Sequence, residues 1–213
     1  MSKLKILLLG KYIKKKTKKK SVFDFLKNTY EVTFFDEHQN IKVKKYDLVI
    51  IYGYGKILKK DDIKKLGCNI INLHIGYLPF ARGIYPLIWS LIFFKPIGFT
   101  IHLISNEIID DGPILKKGKI NIKETDNIKK IHFNCRKAIE NYFFQNFEKI
   151  LKYKKKKLSK PKIIKKYYFS KELSKKLMYR LPLKWNTKVK YLMKNSKNFK
   201  KLYKDHSAQN HIK

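Results

Sequence analysis

The sequence predicts an α/β fold: an open, mostly parallel twisted sheet with flanking helices. Three observations predict it. Short runs rich in β-branched and aromatic residues alternate with helical or loop stretches through the first half of the chain. One run, Asp47–Tyr52, is apolar at every position after its first, as strands buried on both faces are. From Thr125 to Tyr153 apolar residues recur at helical spacing.

The elements follow in order. Lys3–Leu9 reads as a buried strand closed by Gly10, and Tyr30–Phe35 as a second strand from its β-branched and aromatic content. Asp47–Tyr52 is the third. Lys59–Leu66 offers a short helix with Asp61 and Asp62 near its N-terminus, the end that favours negative charge. Cys68–Leu73 is the fourth strand. Ile84–Phe94 is the longest apolar stretch, but it contains Pro86 and reaches about half the length of a membrane span; it reads as a helix packed on the sheet. Phe99–Ile104 is the fifth strand. Ile114–Ile120 is an edge strand whose lysines guard the edge. Ile128, Ile131, Phe133, Cys135, Ile139, Phe143, Phe147, Ile150 and Leu151 line one long amphipathic helix. Helical pieces are expected at Lys171–Tyr179 and Lys188–Met193. The pattern is Rossmann-like, with a core over 1–153 and a small, basic, partly helical C-terminal appendage over 154–213.

Charge narrows the class less than its size suggests. The 213 residues carry 51 Lys+Arg against 16 Asp+Glu, a formal +35, which points to a polyanion or an anionic membrane. Only three of the basic residues are arginine, Arg82, Arg136 and Arg180. Arginine is the better residue for bidentate phosphate and base contacts, so the excess reads as compositional bias. The charge is also unevenly placed: residues 151–213 hold 22 basic and 2 acidic side chains, whereas Ile70–Leu115 is near neutral. Nucleic acid is therefore not the favoured partner. Cys68 and Cys135 match no metal or CxxC spacing and read as buried, reduced thiols. The N-terminal apolar run is too short for a signal peptide. A soluble, cytoplasmic protein with no membrane span is expected.

The chemistry-bearing residues concentrate in that near-neutral stretch. Asn72 and His74 lie two apart at a strand end, so their side chains share one face, at the edge of an open α/β sheet where ligands bind. Asp110 opens an Asp-Asp-Gly-Pro turn after the next strand, where its carboxylate could approach His74. An amide, an imidazole and a carboxylate make a proton-transfer and oxyanion-stabilising set. From the residues alone, loop-bonding roles and an ordinary turn explain the same pattern. His102, on the fifth strand, could face this site or be a satisfied strand histidine. Arg82 could contact a substrate phosphate or brace a loop. Asp111 reads as a turn residue, and Tyr167-Tyr168-Phe169 and Trp185 as anchors that dock the tail.

Taken together, Asn69-Ile-Ile-Asn-Leu-His-Ile-Gly-Tyr-Leu-Pro-Phe-Ala-Arg-Gly83, Gly98-Phe-Thr-Ile-His102 and Ile109-Asp-Asp-Gly-Pro-Ile-Leu115 resemble the core of the formyltransferases that use 10-formyltetrahydrofolate. The resemblance covers residues 3 to 150. It implies Asn72, His74 and Asp110 as the catalytic trio. It also implies a folate site drawn from Tyr54, Lys56, Ile57 and Leu58, whose backbone holds the pterin, and from Asn106 and Ile109 in the loop that closes over it. Arg82 is the candidate substrate-binding residue beside that trio. The implied chemistry is transfer from 10-formyltetrahydrofolate to an amine in a ternary complex, without a metal or a covalent enzyme intermediate.

Departures within that family bear on the acceptor. Gly10 is followed by Lys-Tyr-Ile-Lys-Lys-Lys, unlike the phosphate-cradling loop of glycinamide ribonucleotide formyltransferase. The roughly 60 lysine-rich residues after the core lack the repeated strand pattern of the tRNA-binding barrel of methionyl-tRNA formyltransferase. The expected partners are folate and a small-molecule acceptor amine, with a nucleotide-linked amino sugar first; tRNA and glycinamide ribonucleotide are the alternatives. A homodimer is compatible with the sequence. From a different class, a non-enzymatic RNA- or polyanion-binding protein on a formyltransferase-like core would bind RNA with steep salt dependence and leave folate alone.

Overall fold

The structure is a computed structural model that describes residues 3–13, 20–36, 45–153, 168–180 and 183–210. A six-stranded sheet runs in the order β2-β1-β3-β4-β6-β7. Its strands are β1 (Lys5–Leu9), β2 (Glu31–Phe35), β3 (Leu48–Ile51), β4 (Asn69–His74), β6 (Gly98–Leu103) and β7 (Ile114–Lys119). Strands β1 to β4 pair in parallel, and β4 pairs with β6 antiparallel. This is the expected mostly parallel sheet, with the lysine-bearing β7 at one edge. A second, two-stranded sheet joins β5 (Arg82–Gly83) to β8 (Tyr168–Phe169). The helices are α1 (Val22–Leu26), α2 (Lys60–Leu66), α3 (Pro86–Ile92), α4 (Ile128–Leu151), α5 (Lys171–Arg180), α6 (Val189–Lys194) and α7 (Ser196–Asn210).

The described residues fall into two compact units, each discontinuous in sequence: 1–74, 100–116 and 139–161 in the first, and 75–99, 117–138 and 162–213 in the second. The boundary expected at 153 is followed by residues 154–167, which lie outside the described residues.

In the first unit the central strands are buried because they are apolar throughout. All of Ile6–Leu9 and Val49–Ile50 are fully buried, and Leu7, Leu9, Val49, Ile51, Leu58, Leu66 and Ile70 form one packed cluster. Phe25 of α1 meets Phe143, Phe144 and Phe147 of α4, with Phe147 also edge-on to Tyr30. The Tyr30 hydroxyl donates to Glu148 at 2.7 Å, and burial beside that carboxylate pushes the phenol up to about 12. The expected helix over Thr125–Tyr153 is α4, interrupted at Asn146, whose backbone leaves the helical region. Its side-chain amide donates to the Tyr142 carbonyl one turn back at 3.0 Å, the kind of side-chain insertion that breaks a helix ladder.

Helix α1 lay hidden in a lysine-rich stretch, and its start is a capping box. Ser21 Oγ accepts from the Asp24 backbone N–H at 3.1 Å, and Asp24 Oδ2 accepts from the Ser21 N–H and hydroxyl. The Ser21 hydroxyl, helped by Lys27 at 2.9 Å, holds the Asp24 carboxyl down to about 2. Ser21→Ala is expected to cost about 1 kcal/mol. Because the folded carboxyl is depressed, its contribution is present above the ordinary aspartate value near ~4 and is lost as pH falls through about 2. The gap between the denaturant midpoints of wild type and Ser21→Ala should therefore narrow between about pH 4 and about pH 2, leaving the part due to the Ser21 Oγ bond to the Asp24 N–H.

In the second unit, α3 follows Pro86 at the first helical position, where proline is tolerated, and buries Leu87–Ile92. Within this unit it packs on α6 and α7. Trp89 stacks on Phe169 with centroids 4.5 Å apart, so Phe169 anchors the C-terminal segment as expected. The Trp185 side chain does not: it is 57% exposed and lies edge to face with His132 at 5.2 Å, while its backbone carbonyl accepts from the Lys129 N–H at 2.9 Å. Tyr167 lies outside the described residues. Cys135 is buried and free, and burial pushes its thiol up to about 12, while Cys68 is only half-buried. Burial makes Cys135 a poor nucleophile.

Candidate active site

The sheet itself assembles the site. Strand β4 ends on Asn72 and His74, and its antiparallel partner β6 sets His102 opposite Asn72 and Thr100 opposite His74. Residues two apart on a strand share a face, and so do directly opposed residues of an antiparallel pair. Asn72, His74 and His102 therefore converge on one face at the end of β4.

Asp110 reaches them through a tight return after β6. Its φ is 53°, the left-handed region that aspartate and asparagine enter more readily than most residues. Two residues later the Leu103 carbonyl oxygen lies where a Gly112 Cβ would stand, and the Leu103 N–H donates to the Pro113 carbonyl at 2.9 Å. A side chain at 112 would push this return outward, which is the physical need behind Asp-x-Gly-Pro.

One oxygen gathers the cluster. Asp110 Oδ1 is 3.2 Å from Asn72 Nδ2, 3.4 Å from His102 Nε2 and 3.6 Å from His74 Nδ1. The two imidazoles stand 6.1 Å apart, edge to face. His74, His102 and Asp110 are buried and Asn72 is half-buried. A carboxylate so placed favours a proton on a facing imidazole. The structure thus brings Asn72, His74 and Asp110 together. It also settles the open choice for His102, which belongs to the cluster; only the register of β4 against β6 reveals that. Asp111 is buried beside Asp110.

The remaining candidates divide. Tyr54, Lys56, Ile57 and Leu58 follow β3. Leu58 is buried in the core cluster, Tyr54 packs against it, and Ile57 is 60% exposed with Lys56 also outward. Gly53, at φ 70°, carries the Tyr12 ring on the side where a Cβ would stand, and Tyr12 packs edge-on against Tyr52 at 5.2 Å. Asn106 accepts from the Ile108 N–H at 3.0 Å, closing an Asx turn that leaves Ile108 outward and Ile109 half-buried. Arg82 is in the second unit, buried on β5 in register with Tyr168. Among the described residues no group of three or more His, Cys, Asp or Glu is placed to hold a metal ion, and no helix is long and apolar enough to cross a membrane.

Comparison with known proteins places the chain in a family. A family model described as formyl transferase matches residues 11–146. The chain belongs to the formyl transferase family. Among curated relatives, it is 42% identical over 83 residues to methionyl-tRNA formyltransferase of Thermodesulfovibrio yellowstonii, covering 38% of this chain and 26% of that protein. To methionyl-tRNA formyltransferase of Bacillus subtilis it is 34% identical over 105 residues, covering 48% and 32%. These alignments thus span about a third or less of each relative's length. Among solved structures, the formyltransferase PseJ from Anoxybacillus kamchatkensis superposes with a TM-score of 0.70 at 28% identity, over 88% of this chain and 97% of that one. That structure holds UDP-4,6-dideoxy-4-formamido-L-AltNAc and tetrahydrofolate.

Within the family reading, Gly53 supports a specific expectation. Gly53→Ala forces an L-residue into left-handed backbone, at ~1–2 kcal/mol, and drives its Cβ into Tyr12. The KM for the folate donor should rise several-fold with kcat less affected, read from steady-state kinetics; an unchanged KM would remove the 54–58 loop from the folate site.

Proposed function

We propose that this protein transfers a formyl group from 10-formyltetrahydrofolate to the primary amine of a nucleotide-linked amino sugar. The observation that carries the reaction type is the convergence of Asn72, His74 and Asp110 on one carboxylate oxygen. The folate supplies an activated formyl carbon. The amide of Asn72 and a protonated His74 donate hydrogen bonds to the formyl oxygen as negative charge develops there. Asp110 keeps His74 oriented and protonated, and takes the proton of the attacking amine directly or through one water; the proton then passes to N10 of the folate as its bond to the formyl carbon breaks, releasing tetrahydrofolate and the formamide. The loops at 54–58 and 106–110 hold the donor, the first mainly through backbone.

The acceptor class rests on the extended likeness to PseJ, whose structure contains a nucleotide-linked formamido sugar. A second reading, methionyl-tRNA as acceptor, is favoured by the curated relatives and by the lysine-rich composition. One experiment separates them: incubation with 10-formyltetrahydrofolate and, in parallel, UDP- and dTDP-linked amino sugars, glycinamide ribonucleotide and methionyl-tRNA, with product mass as readout. Formylated nucleotide sugar is the expected product. Transfer to tRNA alone reverses the ranking, and no folate binding with salt-steep RNA binding moves the chain to the non-enzymatic class.

A further inference from the structure

The hydrogen-bond accounting around Asn72 assigns a role to His102 that the catalytic trio does not contain. His102 Nδ1 lies 3.0 Å from the Leu103 carbonyl oxygen, which can only accept, so that nitrogen carries the proton. In the neutral ring Nε2 is then bare. It stands 3.2 Å from Asn72 Nδ2 and accepts one of the two amide hydrogens. The other amide hydrogen is directed at Asp110 Oδ1, also at 3.2 Å.

Both bonds fix the same orientation of the amide. Reversed, Asn72 would set its oxygen against the Asp110 carboxylate and against the lone pair of His102, two repulsions in place of two bonds. A proton on His102 Nε2 would set two N–H donors against each other at 3.2 Å and turn that nitrogen to Asp110 Oδ1 at 3.4 Å, costing Asn72 its acceptor. The groups that face His102 are the Asn72 amide from β4, the Leu103 carbonyl from its own strand, the Asp110 carboxylate at 3.4 Å and the His74 ring at 6.1 Å. One carboxylate serves two imidazoles, and like charge on both rings at that separation is disfavoured.

We infer that His102 is a positioning residue: with Nδ1–H bonded to the Leu103 carbonyl and Nε2 accepting, it anchors one hydrogen of Asn72 and so orients the other, which rests on Asp110 in this structure, for hand-over to the formyl oxygen when the donor binds. The role rests on the formyl-transfer reading, since it acts through the donor that Asn72 offers to the formyl oxygen. The neutral Nδ1–H tautomer is independent of any activity and can be judged by itself.

Two measurements test it. Side-chain nitrogen NMR of the full-length protein at assay pH, with the His102 signals assigned by their loss in His102→Gln, is expected to show a protonated Nδ1 and a bare Nε2. A protonated Nε2 in that spectrum, as the other tautomer or as imidazolium, overturns the inference. In kinetics, His102→Phe removes the acceptor and should lower kcat ~10–100-fold, less than the ~10²–10³-fold of deleting an oxyanion donor outright, with the folate KM within ~2-fold. His102→Gln restores an acceptor oxygen and should recover a substantial part of kcat. Equal losses in both variants, or a loss confined to KM, also overturn it. If wild type transfers no formyl group to any acceptor, the functional reading falls, and the NMR result still decides the state of His102.

Discussion

Asp110→Asn is expected to lower kcat by ~10²–10⁴-fold, the range for losing a positioned acid–base group, while the folate KM and the fold are retained. The substitution isolates charge from shape. Asparagine matches aspartate in size and is equally at home in left-handed backbone, so the φ of 53° at this position is not a reason for misfolding. What disappears is the negative charge on the oxygen that faces His74, His102 and Asn72 within 3.6 Å. Without it His74 loses its reason to be protonated, and the attacking amine loses its proton acceptor. An amide at 110 can also turn its own N–H groups toward Asn72 Nδ2, setting donor against donor. His74→Ala should fall as far, since it removes the second donor to the formyl oxygen. Steady-state kinetics with both substrates varied, alongside a thermal melt, make the check. Near-wild-type turnover in a folded Asp110→Asn protein would remove the trio from the mechanism.

Much of this site was legible because its determinants are local. Asn72 and His74 share a face by strand periodicity alone, and Asp110 announces itself through the Gly112 that its return requires. His102 was not, because the sequence carries no mark of which residue of β4 it opposes; that is a register between strands 30 positions apart. The same reason hid β5 and β8, two-residue strands that exist only by pairing with each other. Helix α1 was missed for a different reason. Its Ser21-x-x-Asp24 box is a readable start signal, but five residues contain too little periodicity to stand out beside a lysine run. Asn146 shows the reverse error: the apolar spacing of α4 continues through a break that a side-chain bond to Tyr142 imposes. Trp185 warns that an aromatic residue in a basic segment is not an anchor by composition, since burial depends on what the fold brings over it.

Trp89→Ala is expected to cost ~3–5 kcal/mol, the range for truncating a large buried aromatic ring. Trp89 is fully buried and holds the described C-terminal segments inside the second unit in three ways. Its face stacks on Phe169, with rings 4° from parallel. Its edge meets Tyr203 of α7 at 6.2 Å. Its indole Nε1–H donates to Ser174 Oγ of α5 at 3.2 Å, and that hydroxyl in turn donates to the Ile84 carbonyl. Alanine leaves a cavity beside Phe169 and strips Ser174 of its donor, so packing and polar satisfaction fail together. Trp89→Phe keeps much of the ring and loses the N–H, and should cost roughly 1–2 kcal/mol. The cost should be local before it is global, because segments with few other buried anchors open first. Limited proteolysis under native conditions should therefore cut Trp89→Ala within residues 168–210 faster than wild type, ahead of the urea transition that reports the whole chain. A loss below ~1 kcal/mol with unchanged proteolysis would mean that the backbone pairings of residues 124–129 with 185–190, rather than the aromatic stack, hold this part of the chain in place.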